Sequence, residues 1–275
     1  MAASVKGYCS ICGEFGELSQ DHVPPKGSAN LSRVAITTLA DHMGTSRSGR
    51  PVLSESGVRF KTLCSYCNST RLGRWYDPEL KRISSGVTRV LSASAFLSLP
   101  ETVTISAKPQ RVARAVVGHL LAAVPAELTT QPPSDAAMPR ALREYFLNPC
   151  APLPDAVSIY YWTYPSRRVV IARGITKTNI RFSPLIIGDI LKFYPLGYWL
   201  VWDPPPAQRG PLSPLLVNRA EGIDSEVDLP IRFRHQPPLD FPEAPGPDEA
   251  TFMHDRAGVT AAARLTRQQS RRRRG

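Results

Sequence analysis

Cys9-Ser10-Ile11-Cys12-Gly13 and Leu63-Cys64-Ser65-Tyr66-Cys67-Asn68 are the stretches that decide how the first part of this chain folds. They hold two Cys-x-x-Cys pairs separated by 51 residues. Thiolates bind zinc tightly and four of them complete a tetrahedral site, so in a reducing compartment these pairs read as metal ligands rather than disulfides. A redox Cys-x-x-Cys normally occurs once, in a βαβ context that this sequence lacks. Gly13 suits a zinc knuckle, because glycine lets the chain turn so that backbone amides face the sulfurs. The fifth cysteine, Cys150, stands alone and reads as a small buried apolar residue.

Working outward, Glu17 to Pro25 reads as a short strand stopped by Pro24-Pro25, and Val58 to Leu63 as a second strand that delivers Cys64. Residues 26–57 lack periodicity and read as a long loop with at most one short helix. Cys67 to Gly73 reads as a short helix ended by its glycine. Asp77-Pro78-Glu79 predicts a helix start, with aspartate as N-cap and proline in the first turn, and Ile83, Val87, Val90, Leu91 and Phe96 give that helix one apolar face to about Leu97.

From residue 98 to 248 the pattern changes to an α+β domain with a mainly antiparallel sheet. It has an amphipathic helix from Arg111 to Val124, and strands are predicted at 103–106, 157–164, 168–172, 185–190, 197–202 and 230–233. Proline-rich and polar stretches at 130–140, 203–215 and 236–248 read as loops. Residues 249–275 read as a disordered basic tail.

The chain has 275 residues, which at about 100–200 residues per domain gives one or two domains. Its 42% hydrophobic and 21% charged content is that of an ordinary globular protein. No apolar run is long enough to cross a membrane or to serve as a signal peptide, so the expected setting is cytoplasmic, with no membrane partner. The net charge of +11 divides as +5 over residues 1–90, −1 over 91–255 and +7 over 256–275, where seven arginines meet no acid. Basic ends around a neutral middle point to an anionic partner, foremost nucleic acid, and the arginine tail would add nonspecific affinity for it.

Asp21-His22-Val23-Pro24-Pro25-Lys26, taken with the two cysteine pairs and Asn68, resembles the HNH endonucleases, in particular the subgroup with a four-cysteine zinc site. The resemblance covers about residues 7–75. It implies a treble-clef-like ββα-metal domain (1–76) with a structural zinc on Cys9, Cys12, Cys64 and Cys67, joined by a connecting helix (77–97) to the α+β domain, which would set target or partner specificity. It further implies DNA hydrolysis with His22 as general base and with Asp21 and Asn68 as ligands of a catalytic divalent ion. Oxygen donors of that kind favour Mg²⁺ or Mn²⁺ over a second zinc. Histidine has the near-neutral pKa that activation of water requires. Arg59 stands where many relatives carry an asparagine that orients the base. Arg59, Lys61, Arg71 and Arg74 are the candidate DNA-contacting cations.

Two readings compete with a nuclease. One is a zinc-stapled nucleic-acid-binding module without catalysis. The other is a scaffold subunit of a multiprotein complex that meets a protein partner through residues 98–248. His42 reads as a loop histidine and His119 as a satisfied core histidine, while Tyr160 to Tyr164 read chiefly as core.

Overall fold

A computed structural model describes residues 5–28, 33–44, 50–94, 98–179, 181, 185–204, 212–253 and 258–263. The protein is a mixed α+β structure with antiparallel sheets. Strands β1 (Val5–Tyr8), β2 (Phe15–His22), β3 (Val34–Thr38), β4 (Val52–Ser54) and β5 (Arg59–Cys64) fill its first part, with the short helix α1 (Leu39–His42) between β3 and β4. A π-helical coil (Tyr66–Tyr76) runs without a break into α2 (Asp77–Ala93), followed by β6 (Thr102–Ala107), α3 (Pro109–Ala122), a 3₁₀ turn (Ala126–Thr130) and α4 (Ala137–Leu147). The remaining strands are β7 (Val157–Thr163), β8 (Val169–Asn179), β9 (Ile186–Phe193), β10 (Leu196–Trp202), β11 (Ser213–Pro214), β12 (Val227–Arg232), β13 (Glu249–Phe252) and β14 (Gly258–Ala263).

Among the described residues three sheets result. β1, β2 and β5 form the first, and β12 pairs with β6 in a two-stranded ribbon. The large sheet runs β11-β7-β10-β9-β8-β14-β3-β4, with β13 also on β8. In β10, strict alternation sends Leu196, Tyr198 and Leu200 to one face and Trp199 and Val201 to the other, and both faces are covered. The first face packs on α3 in a core continuous with Cys9, Ile11, Leu63, Cys67 and Leu72 of the cysteine region.

Four expectations are corrected here. Residues 26–57 are not one long loop, because Val34 to Thr38 and Val52 to Ser54 pair in the large sheet. The segment from 249 is not all tail: β13 and β14 are strands, and Val259 to Ala261 are sandwiched between β8 and β3. The seven arginines after Asp255 lie outside the described residues, as does Phe96. Residues 137–140 belong to α4 rather than to a loop. Cys150 is exposed, not buried.

The coil after Cys64 also differs from the expected short helix. It continues through Gly73, and Asp77 has helical backbone angles instead of capping a helix start. Helix α3 is buried almost all round, as a central core helix must be. Gly118 permits this packing: a Cβ there would lie 2.4 Å from Cε2 of Phe146 and 2.6 Å from Cδ2 of Leu72. Gly118→Val should therefore lower unfolding free energy by about 1–3 kcal/mol or more, the scale of overpacking a core. Gly16→Ala, whose Cβ would meet nothing within 4 Å, serves as the control. Urea titration reads both, and a Gly118→Val protein as stable as wild type would show that α3 does not pack there.

Candidate metal centre and active site

Cys9 and Cys12 lie in the turn that joins β1 to β2. Gly13 closes this turn with a φ of 78°, donating its N–H to the Cys9 carbonyl at 2.9 Å. Cys64 ends β5, and Cys67 sits in the first turn of the π-helical coil, with its N–H facing the Cys64 sulfur at 3.5 Å. The four Sγ atoms lie within 4.8 Å of one another, and those of Cys12 and Cys64 are 3.8 Å apart. A tetrahedral zinc with Zn–S bonds of about 2.3 Å sets sulfurs about 3.8 Å apart, so the cluster can hold that ion as it stands.

The electrostatics point the same way. Interaction with the Cys67 thiol lowers the Cys9 pKa to about 5, and burial raises Cys12 to about 12. Proximity to Cys9 and burial also push Cys67 upward. Four sulfurs this close cannot all be thiolates without a cation between them. Metal analysis of the purified protein should find one zinc per chain, lost in Cys64→Ser, and chelation should lower the melting temperature sharply because binding and folding are coupled. An unchanged melting curve after complete removal of metal would contradict the assignment.

Asp21 and His22 end β2, next to an irregularity in the β2–β5 register between Ser19 and Asp21. The strand turns them to different surroundings. His22 is partly exposed and Asp21 is buried at 4%. Burial lowers the His22 pKa; Asp21 opposes this, while Arg59 and Lys26 add to it. His22 is therefore biased toward the neutral imidazole, the form that accepts a proton.

Asn68, directly after Cys67, reaches back to the same strand. Its Nδ2 donates to Ser19 Oγ at 2.9 Å and to the Gln20 carbonyl at 3.0 Å. With its nitrogen so used, the amide oxygen is the group it can offer a ligand. Arg59 lies opposite His22 in the ladder and donates to Gln20 Oε1 at 3.1 Å. Lys61 is half-buried on β5 and Arg74 is exposed on the coil. Arg71 is drawn into packing: its guanidinium sits 5.3 Å from the Tyr66 ring centre and 5.6 Å from that of Trp75, and it donates to the Leu147 carbonyl at 2.5 Å. His42, at the end of α1, meets Arg168, the residue before β8.

Two residues bear on the site from outside it: His119, the core histidine expected from the sequence, and Asp77, read there as a helix cap. His119 of α3 is fully buried, with Nε2 2.9 Å from Asp77 Oδ1 and Nδ1 3.3 Å from Asp21 Oδ2. The second contact is an ion pair without hydrogen-bond alignment. Burial alone would lower the His119 pKa, but the two carboxylates outweigh it and carry the pKa up to about 10. Three elements far apart in sequence thus share one buried imidazolium. The one local signal was Asp77-Pro78, which also fits a helix cap.

Among the described residues the four cysteines are the one group of three or more Cys, His, Asp or Glu side chains placed to share an ion. Comparison with protein-family models, with curated proteins and with solved structures finds no match.

Removing one member of a buried charge cluster strands the others. His119→Leu should destabilise by about 3–5 kcal/mol, measured by denaturant titration. An imidazolium whose pKa rises on folding contributes stability that is complete below about 6.5 and is lost as pH climbs through about 10. The difference in stability between wild type and His119→Leu should shrink over that interval, and a difference independent of pH would show His119 to be neutral.

Proposed function

We propose that this protein is a metal-dependent DNA endonuclease of the HNH type, with a structural zinc on Cys9, Cys12, Cys64 and Cys67 and a ββα-metal active site around Asp21, His22 and Asn68. One observation carries the reading. The Asn68 amide, held by the cysteine cluster, is bonded to the strand residues just before Asp21 and His22. The zinc-type cluster is thereby tied to the strand that carries the candidate catalytic residues.

His22 takes a proton from water as that water attacks a phosphodiester, and the depressed pKa keeps it ready near neutral pH. Arg59 and Lys26 flank His22 with positive charge and suit the phosphate being attacked. For a divalent ion the residues offer oxygens only. Asp21 turns Oδ2 to His119, leaving one carboxylate oxygen for the ion, and Asn68 leaves its amide oxygen. Such a sparse, oxygen-only set suits Mg²⁺ or Mn²⁺, which keep several waters and bind substrate phosphate. When bound, the ion would neutralise charge on the phosphate and on the leaving oxygen.

The ion pair between Asp21 and His119 also favours a second reading, a zinc-stapled DNA-binding module without catalysis, since it draws one carboxylate oxygen away from the site. Incubation of plasmid with purified protein, with and without Mg²⁺ or Mn²⁺, separates the two. On the nuclease reading the wild type cuts only with the ion, and His22→Ala cuts at least about 100-fold more slowly with DNA affinity unchanged. DNA binding without cleavage supports the second reading, and a His22→Ala protein that cuts at the wild-type rate removes His22 from the chemistry.

A further inference from the structure

The large sheet carries a second candidate site, apart from Asp21, His22 and Asn68. Strand β8 bulges against β9 between Ala172 and Ile175, with Gly174 at a φ of 63°. Asp189 of β9, 6% exposed, pins this bulge by accepting the Gly174 N–H at 2.7 Å. Bulges re-aim side chains. Here Arg173 lines a cavity of about 700 Å³ between the sheet, the end of α3 and α4. That volume is in the range of small-molecule sites.

The cavity is walled chiefly by Met138, Leu142, Ile187 and Trp202, while Arg173, Asp189 and Glu127 are its charged groups. Arg173 and Asp189 form a loose ion pair, with Nε 3.7 Å from Asp189 Oδ2, and that buried Nε makes no hydrogen bond. A buried donor left without a hydrogen bond in a roomy cavity calls for an acceptor. A second chamber of about 420 Å³ adjoins the first through Arg173 and Glu127 and is richer in hydroxyl groups, with Tyr8, Ser10, Thr129 and Thr130. Ser10 lies inside the Cys9–Cys12 turn, and its Oγ is likewise buried without a partner.

The chemistry of the occupant follows from these groups. A lipid chain would suit the walls but leave the Arg173 Nε without a hydrogen bond. A small organic anion would pair Arg173 but face the carboxylates of Asp189 and Glu127. A neutral, planar heteroaromatic ring with a carbonyl beside an amino or imino group meets every requirement. Its faces lie on apolar walls, its carbonyl accepts from Arg173, and its N–H donates to Asp189. The hydroxyl-rich chamber suits an attached sugar.

We propose that the two chambers bind one nucleoside unit, with the base beside Arg173 and Asp189 and the sugar toward Ser10. The choice of ligand rests on the nucleic-acid reading above. The unit could be supplied free in solution or as a base turned out of a strand, and unstacking a base costs a few kcal/mol by itself.

The test uses the full, zinc-loaded chain without Mg²⁺ or Mn²⁺. Calorimetry with the four deoxynucleosides and their 5′-monophosphates reads the free source. Fluorescence of duplexes carrying 2-aminopurine, which brightens on unstacking, reads the strand source. Saturable binding or brightening that weakens at least tenfold in Arg173→Met supports the inference. Leu128→Trp, which fills the rim at a residue 62% exposed, should weaken it likewise and stands in should Arg173→Met fail to fold. Neither binding nor brightening in the wild type, or wild-type responses from folded variants, would overturn it. Because no catalytic ion is present, the outcome is independent of cleavage: a chain that binds nucleosides but never cuts DNA keeps this site and loses the nuclease, and the reverse result does the opposite.

Discussion

Four buried or half-buried sulfurs gathered within 4.8 Å are the constraint on which the N-terminal half depends. Without a cation, burial raises Cys12 while the Cys67 thiol lowers Cys9, and the charge on Cys9 then makes further deprotonation harder. A zinc ion there would remove that repulsion. It would close the turn between β1 and β2 onto the end of β5 and the start of the π-helical coil, joints that would then need little apolar surface of their own. Asn68 inherits its position from Cys67, the residue before it, and so reaches Ser19 and Gln20.

A second tie joins this unit to the rest of the chain. His119 projects from the central helix between Asp21 and Asp77, and one imidazolium balances two largely buried carboxylates. Three desolvated charges are costly, and apolar side chains of similar size could hold the same elements together. The charged groups tie β2, α2 and α3 together at one point of the core.

The four-cysteine group and the antiparallel α+β character were legible because both are written locally. Ligand spacing depends on residue type alone, and β7, β8, β9 and β10 alternate or run apolar over lengths typical of strands. What escaped was set by distant partners. Val34 to Thr38 and Gly258 to Ala263 have weak patterns of their own and become strands by pairing with each other and with β8. Gly73 looked like a helix stop, yet the wide coil anchored by Cys64 and Cys67 carries through it. Asp77 had the sequence of an N-cap, and its carboxylate is taken by a histidine 42 residues on. Arg71 read as a cation for DNA, but Tyr66, Trp75 and the Leu147 carbonyl hold it. The Arg173 cavity had no signal at all, because a bulge and three packed elements create it.

Zinc K-edge absorption spectroscopy on the purified chain addresses the central claim most directly, since it reads the ligands of the ion and needs no assumption about activity. A single shell of four sulfurs at about 2.3 Å is the predicted result. A zinc bound by nitrogen or oxygen, or a folded protein with no zinc at all, would contradict the account.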